Sequence, residues 1–324
     1  MPPPLPRPRP RPGGRAVTAP ADALRTLPVA HIVRRAYERH LVVPAFNIAY
    51  LPMVEPIVAT LRDCRSFALI EVARPDIERF GAVSYSAVAA EVNRCADRAY
   101  ARLHQDHVPV IDEENRPVDW RPIIQQALAL GYDSVMIDGS RLPLDANIAV
   151  TAAVVAMAHP AAAVEAELGA VLGHEPGPLP PYEELFRTGR GFTNVQDAVR
   201  LVSETGLDWL SVAVGNIHGA ISGAAKDAQK VQARLDIAHL QRLSDAVRVP
   251  LVLHGGTGIQ LHYVRQAIRA GIAKINIGTA LRQPYERELR QGRGVPAAQK
   301  AVAEAVRRCL EDYDILGSAA ALAD

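Results

Sequence analysis

The segment VPLVLHGGTGIQLHYVRQAIRAGIAKINIGT, residues 249–279, sets out the unit from which the chain is built. Two β-type runs, VPLVLHGG (249–256) and IAKINIG (272–278), flank a stretch of helical periodicity. Working outward, the same rhythm recurs upstream in VVPAFNI (42–48), FALIEVA (67–73), YARLHQD (100–106), SVMIDGS (134–140), AVEAELG (163–169) and WLSVAVGN (209–216). Between these runs lie helix-like stretches such as DWRPIIQQALALGY and NVQDAVRLVSETG, the latter opening on an Asn cap and closing on Gly. Eight β/α alternations imply a parallel sheet, and closing that sheet gives a (β/α)8 TIM barrel. An open doubly wound sheet is the alternative. It is disfavoured because polar residues gather at the carboxyl end of nearly every run, at Asn47, Asp106, His107, Asp138, Glu167, His218, His254 and Asn276, not at one switch point.

The 324 residues suit one large α/β domain, with 49% hydrophobic content to fill its core. Residues 1–20 read as a disordered Pro/Arg-rich tail and 21–324 as a single barrel domain, with a helix near 22–39 covering the lower end and a terminal helix over 295–313. Basic and acidic residues nearly cancel, 36 against 35, and four arginines sit in the acid-free first 20 residues. No nucleic-acid surface is signalled, and aromatics are only 5%. No apolar stretch is long enough to span a bilayer, and Pro alternating through the start rules out an h-region. Three widely spaced cysteines, Cys64, Cys95 and Cys309, read as buried thiols in a reducing compartment. A soluble cytoplasmic protein is expected. Pro-rich loops at 109–117 and 174–181 follow runs on the catalytic side and are candidate lids.

Three histidines stand where a β-branched run breaks into a Gly- or Asp-marked loop: His107 in HQDH, His218 in VGNIHG and His254 in LHGGTG. Imidazoles converging from separate strand ends can hold a divalent cation with a position open for substrate. A hydrolase would use the same ligands to activate water, so the ligands alone do not name the reaction. The other histidines on helix-like stretches, His31, His40, His159, His239 and His262, read as ordinary hydrogen-bonding residues.

HQDH, SVMIDGS, VEAELG, VAVGNIHG, VPLVLHGGTGI and KINIGT, in this order over roughly residues 42–318, resemble the class II metal-dependent ketose-bisphosphate aldolases, which include fructose- and tagatose-bisphosphate aldolases. The resemblance implies a (β/α)8 barrel and a catalytic Zn2+, or another divalent metal, held by His107, His218 and His254. Asp138 and Glu167 match carboxylates that bind the metal in an alternative or inactive position. Asp106 matches the aspartate that handles the hydroxyl proton at the cleaved bond; its other reading is an acceptor that orients a ligand. Glu175 matches a mobile glutamate that moves the carbon-bound proton, and Gly219 a position whose backbone meets phosphate and a monovalent cation. The implied substrate is a small-molecule sugar phosphate, with no nucleic-acid or membrane partner, and the implied assembly is a homodimer or homotetramer.

The chemistry fits these residue types. Retro-aldol cleavage needs the electrons of the breaking bond drawn into the ketose carbonyl, which a cation bound to the carbonyl and adjacent hydroxyl achieves. Lys274 could instead serve as a Schiff-base amine, although a structural or loop-facing role fits its place before Asn276 better. Backbone N–H groups at Gly255 and Gly256, the hydroxyls of Thr257 and Thr279, and Asn276 follow the seventh and eighth runs, where barrels commonly bind phosphate; Asn47 adds a polar group after the first.

Several positions depart from the family pattern and bear on the substrate. Gly278 stands where fructose-bisphosphate aldolases carry Asp, and Glu71, Ala73 and Arg74 where the family often has Gln and a phosphate-binding Ser. Arg74 suits a phosphate or carboxylate, or a surface pair with Asp76 or Glu78. Tyr50 takes an Asn-like position and Ser222 replaces a lysine, while the loops 108–120 and 220–234 are longer than usual. The rival readings are a metal-dependent barrel hydrolase or isomerase, against which the absence of an HxH pair after the first run argues, and a non-catalytic sugar-phosphate-binding barrel or accessory subunit.

Overall fold

The computed structural model describes residues 20–169, 182–216, 233–256 and 258–324. Eight strands close a parallel barrel in sequential order: β1 Val43–Asn47, β2 Ala68–Val72, β3 Ala101–Pro109, β4 Ser134–Asp138, β5 Ala163–Leu168, β6 Trp209–Val212, β7 Leu251–Leu253 and β8 Ile272–Ile277. Closure comes from β1 pairing with β8, Val43 opposite Lys274, so the fold is the (β/α)8 TIM barrel and not the open sheet. Helices lie between the strands. The helix Val195–Thr205 starts on Asn194, whose side chain accepts from Gln196 and Asp197 N–H, and stops at left-handed Gly206.

Each strand splits its side chains between two cores. Outward residues such as Phe46, Ile70, Val135, Leu210 and Ile275 pack under the helices. Inward residues form layers. Near the amino ends of the strands Val43, Phe67, Ala163, Trp209 and Ala273 make an apolar plug together with Leu24, Ile32 and Leu322. Above this plug the inward residues turn polar, and they include Glu71, His104, Glu165 and Lys274, all fully buried.

The lower end is covered by two helices, Pro20–Leu24 and Val29–Glu38, where the sequence suggested one over 22–39. The break falls at Pro28, which lacks an N–H and disfavours helical geometry in the residue before it. Arg102 on β3, buried inside the barrel wall, donates to the carbonyls of Leu24 and Arg25 and so anchors the first of these helices. The terminal helix runs Gly294–Asp312, and a further short helix, Ser318–Ala323, follows it. Its last carbonyls accept from Arg35, at 2.9 Å for Leu322 and 2.8 Å for Ala323. Of the Pro/Arg-rich tail expected over 1–20, only Pro20 is described, and it already opens a helix. Cys64, Cys95 and Cys309, expected to be buried, are all three only partly buried.

Candidate active site

The longest strand carries the most chemistry. β3 was expected to end at Asp106 but continues to Pro109, so His107 lies within the strand and not in the loop after it. Opposite β4 the register runs Gln105 to Val135 and then Val108 to Ile137, one residue too many on β3. This is a β-bulge, and His107 sits in it with φ of 38°. In a regular strand neighbours face opposite ways. The bulge instead lets Asp106 and His107 both line the cavity at the carboxyl end of the barrel. A left-handed histidine costs on the order of 1–3 kcal/mol, which the surrounding packing must offset.

Asp106 is buried between two amides, accepting from Asn47 Nδ2 at 3.0 Å and from Asn276 Nδ2 at 2.9 Å. Burial opposes its ionisation, yet the neighbouring basic groups, His107 first, hold its pKa below the usual carboxylate value. His107 has Nε2 2.6 Å from His254 Nδ1, while its Nδ1 faces Asp138 Oδ2 at 3.6 Å and Glu167 Oε2 at 3.8 Å. Burial disfavours its charged form, but Asp106, Asp138 and Glu167 raise its pKa well above normal. His254 shifts the other way, lowered by burial and by its charged neighbour His107.

Asp138 ends β4, where its Oδ1 accepts from Ser140 N–H at 3.0 Å and from Ser140 Oγ at 2.6 Å. Burial would raise it, but His107 and Ser140 bring it down to about 2. Glu167, on β5, is driven well above the carboxylate range by burial and by Asp138. His107 therefore lies within 4 Å of His254, Asp138 and Glu167, and His254 within 4 Å of Glu167, a donor set of mixed nitrogen and oxygen that fits a borderline divalent cation. Such a group would be held by His107, His254, Asp138 and Glu167, with His218 expected as a further ligand.

Two loops complete the mouth. After β7, Gly255 takes a left-handed φ of 68°, and at Gly256 a Cβ would lie 2.9 Å from Ile275 side-chain carbons, so the loop presses on β8 there. After β8, the helix Thr279–Arg290 starts at Gly278, and Gly278 and Thr279 line the cavity at its amino end. Gly278 is itself tight, since a Cβ would stand 3.3 Å from Asn47 Oδ1. The cavity holds about 520 Å³ and reaches Arg74, Phe80 and Arg282 on its β1–β2 side. Arg74 pairs with Glu78 at 2.8 Å and still lines the cavity, and Tyr50 donates to Glu286 at 2.9 Å while stacking on Tyr285.

The structure thus brings Asn47, Asp106, His107, Asp138 and Glu167 to one mouth with His254, Gly255, Gly256, Asn276 and Thr279. His218, Gly219, Glu175 and Thr257 lie outside the described residues, as do Ser222 and the loop 174–181. The loop 109–117 is described and lines the cavity through Ile111 and Glu113, closing on itself by a bridge from Ile111 to Pro117. His159 and His239 pair with Asp208 and with the Thr193 carbonyl, at 2.8 Å each, as ordinary hydrogen-bonding groups.

Sequence reading missed the layer beneath. Lys274 does not face a loop: it is fully buried inside the barrel, 2.9 Å from Glu165 and 3.5 Å from Glu71. His104 joins that layer, bonded to Ser134 Oγ at 2.8 Å. The signal was present as a spacing of two, since Glu165 precedes Glu167, His104 precedes Asp106 and Lys274 precedes Asn276 on the same strand faces. Among the described residues Glu71, His104 and Asp106 form a second cluster of possible ligands, but the Lys274 ammonium already supplies a cation there.

The architecture is that of a (β/α)8 barrel whose ionisable groups are collected on the carboxyl side of the strands. The family profile described as "Fructose-bisphosphate aldolase class-II" matches residues 28–320, and the chain belongs to that family. It is 31% identical over 264 residues to the 6-phospho-5-dehydro-2-deoxy-D-gluconate aldolase of Halalkalibacterium halodurans, covering 80% of this chain and 82% of that protein. The aldolase of the same name from Bacillus licheniformis is 32% identical over 251 residues, 76% of this chain and 77% of that protein. In solved structures, the YdjI aldolase from Escherichia coli K12 superposes with a TM-score of 0.71 at 26% identity, covering 90% of this chain and 98% of that chain. Among the described residues no helix is long and apolar enough to cross a membrane.

Proposed function

We propose that this chain is a zinc-dependent class II aldolase that reversibly cleaves a phosphorylated ketose, fructose-1,6-bisphosphate or a related ketose phosphate, to dihydroxyacetone phosphate and an aldehyde. The observation that carries the reading is Asp106, buried between two amides that donate to it, beside the His107–His254 pair. A divalent cation bound by the histidines supplies a Lewis acid for the substrate carbonyl. Asp106 takes the proton from the hydroxyl on the half that leaves as the aldehyde, as that carbon becomes the carbonyl. The electron pair of the bond passes into the donor half, and Glu175 returns a proton to its carbon. The loop at Gly255 and Gly256, Thr257, Gly219 and the helix start at Thr279 receive the donor phosphate, aided by a monovalent cation; Asn47 and Asn276 keep Asp106 in place.

A specific observation favours a second reading of the substrate. The two relatives above are named for a phosphorylated ketose that ends in a carboxylate, and Arg74 and Arg282 line the same cavity. An acid-ended ketose phosphate would find a guanidinium partner there. The same reading places the enzyme in the cytoplasm, in keeping with three free cysteines, and as a homodimer or homotetramer, which light scattering on the purified protein measures.

The deciding assay offers ketose mono- and bisphosphates and 6-phospho-5-dehydro-2-deoxy-D-gluconate, before and after chelation and zinc return. Cleavage that disappears with the chelator and returns with zinc is expected. No carbon–carbon cleavage of any member would sink the proposal in favour of a sugar-phosphate-binding barrel, and cleavage trapped by borohydride without metal would assign a lysine mechanism.

A further inference from the structure

Lys274 is the hub of the buried layer. A register shift between β7 and β8 sets Val252 opposite Lys274 after Leu251 opposite Ile272, which turns the lysine into the barrel. There its ammonium meets Glu165 Oε2 at 2.9 Å, Glu71 Oε2 at 3.5 Å and Asn276 Oδ1 at 2.6 Å. The ammonium thus donates to Asn276 Oδ1 and lies within ion-pair distance of Glu165 and Glu71 in a site without solvent, an arrangement for a permanent cation and not for a nucleophilic amine.

Two branches leave this hub toward the cavity. On one side Glu165 Oε2 also accepts from Trp209 Nε1 at 2.6 Å, while its Oε1 lies 2.8 Å from His254 Nε2. A carboxylate against Nε2 requires a proton on that nitrogen, which leaves Nδ1 as the lone pair turned to the cavity. On the other side, an ammonium has no acceptor, so Asn276 must present its oxygen to Lys274 and its NH2 to Asp106.

We propose that Lys274 is a positioning residue that sets two orientations at once: through Glu165 it fixes the His254 imidazole with Nδ1 toward the cavity, and through Asn276 it turns an N–H onto Asp106. The ligand and the proton-handling carboxylate are then oriented by one charge. The inference rests on His254 being a cation ligand, but the tautomer it predicts exists without any metal.

The test uses full-length protein and the variants Glu165→Gln and Lys274→Met. In Glu165→Gln, Lys274 and Trp209 both still donate to one end of the side chain, so the amide oxygen settles there and the NH2 faces His254 Nε2. Nitrogen-15 correlation spectra of the chelated proteins should show the Nε2–H tautomer of His254 in the parent and Nδ1–H in Glu165→Gln. Zinc affinity, read by competition with a chromogenic chelator, should fall about 10–100-fold in both variants. Lys274→Met, which also frees Asn276 to flip, should in addition lose at least tenfold in kcat at saturating zinc with KM little changed. An unchanged His254 tautomer in folded Glu165→Gln, or zinc affinity within twofold of the parent in either folded variant, overturns the proposal; if Lys274→Met does not fold, Glu165→Gln decides alone. A parent protein that binds no zinc would remove the ligand reading of His254, and the tautomer spectra would still decide the orienting role.

Discussion

His254 Nδ1 stands 2.6 Å from His107 Nε2, with the two rings edge to face at 80°. Lone pairs that close repel unless a positive charge lies between them, and His107, raised by its three carboxylate neighbours, supplies that charge as a proton. A divalent cation held by both nitrogens would displace that proton and part the two rings to metal–ligand spacing. Zinc binding near neutral pH should therefore release about one proton, read by calorimetry in buffers of different ionisation enthalpy. Zinc at about a thousand times its Kd should stabilise the fold by about 4 kcal/mol, or on the order of 10 °C in Tm. His254→Ala should abolish both effects; retention of either would remove it as a ligand.

Asp106 separates its two readings by what its loss damages. Asp106→Asn keeps the size and one acceptor but cannot take a proton. Turnover should fall about 10²–10⁴-fold with zinc content unchanged. A drop in bound zinc with little change in the rate per bound zinc would instead make Asp106 an orienting acceptor for His107.

Asp76 sits behind Asn47, accepting from Ala73 N–H at 2.9 Å, and burial raises its carboxyl to about 7. Because the folded value lies above the unfolded one, its contribution to stability is complete below about pH 4 and is lost as pH rises through 7. Asp76→Asn removes this titration. Relative to the parent, the variant should gain stability between pH 4 and 7, by up to about 1.4 kcal/mol per pH unit, and then level off. Urea unfolding across that range measures it, and a difference independent of pH would refute the shift.

Arg74 lines the cavity while its Nε holds Glu78 at 2.8 Å. If it meets a carboxylate at the far end of the substrate, Arg74→Ala should raise KM for the acid-ended ketose phosphate about 10–100-fold, the loss of one charge-assisted pair of about 1.5–3 kcal/mol. Fructose-1,6-bisphosphate serves as the comparison. The same loss for both substrates would exclude selective recognition of the acid.

Strand positions were legible because period-two apolar runs between Gly and Asp markers report burial directly, and all eight fell within a few residues of expectation. The errors have local causes. Pro28 divided the covering helix, and the bulge at His107 carried β3 past Asp106. The buried layer of Glu71, His104, Glu165 and Lys274 was on the page as residues but not as a layer, because each reads as an isolated polar group until the barrel closes.

Local periodicity and short motifs were enough to set the eight-fold alternation, the family pattern and the residue types gathered at the carboxyl ends of the strands. The meeting of Lys274 from β8 with Glu165 from β5, and the turn of a left-handed histidine toward His254, arise from the closed barrel alone. Contacts across a barrel join residues more than a hundred positions apart. They depend on register, bulges and closure, which no local pattern encodes.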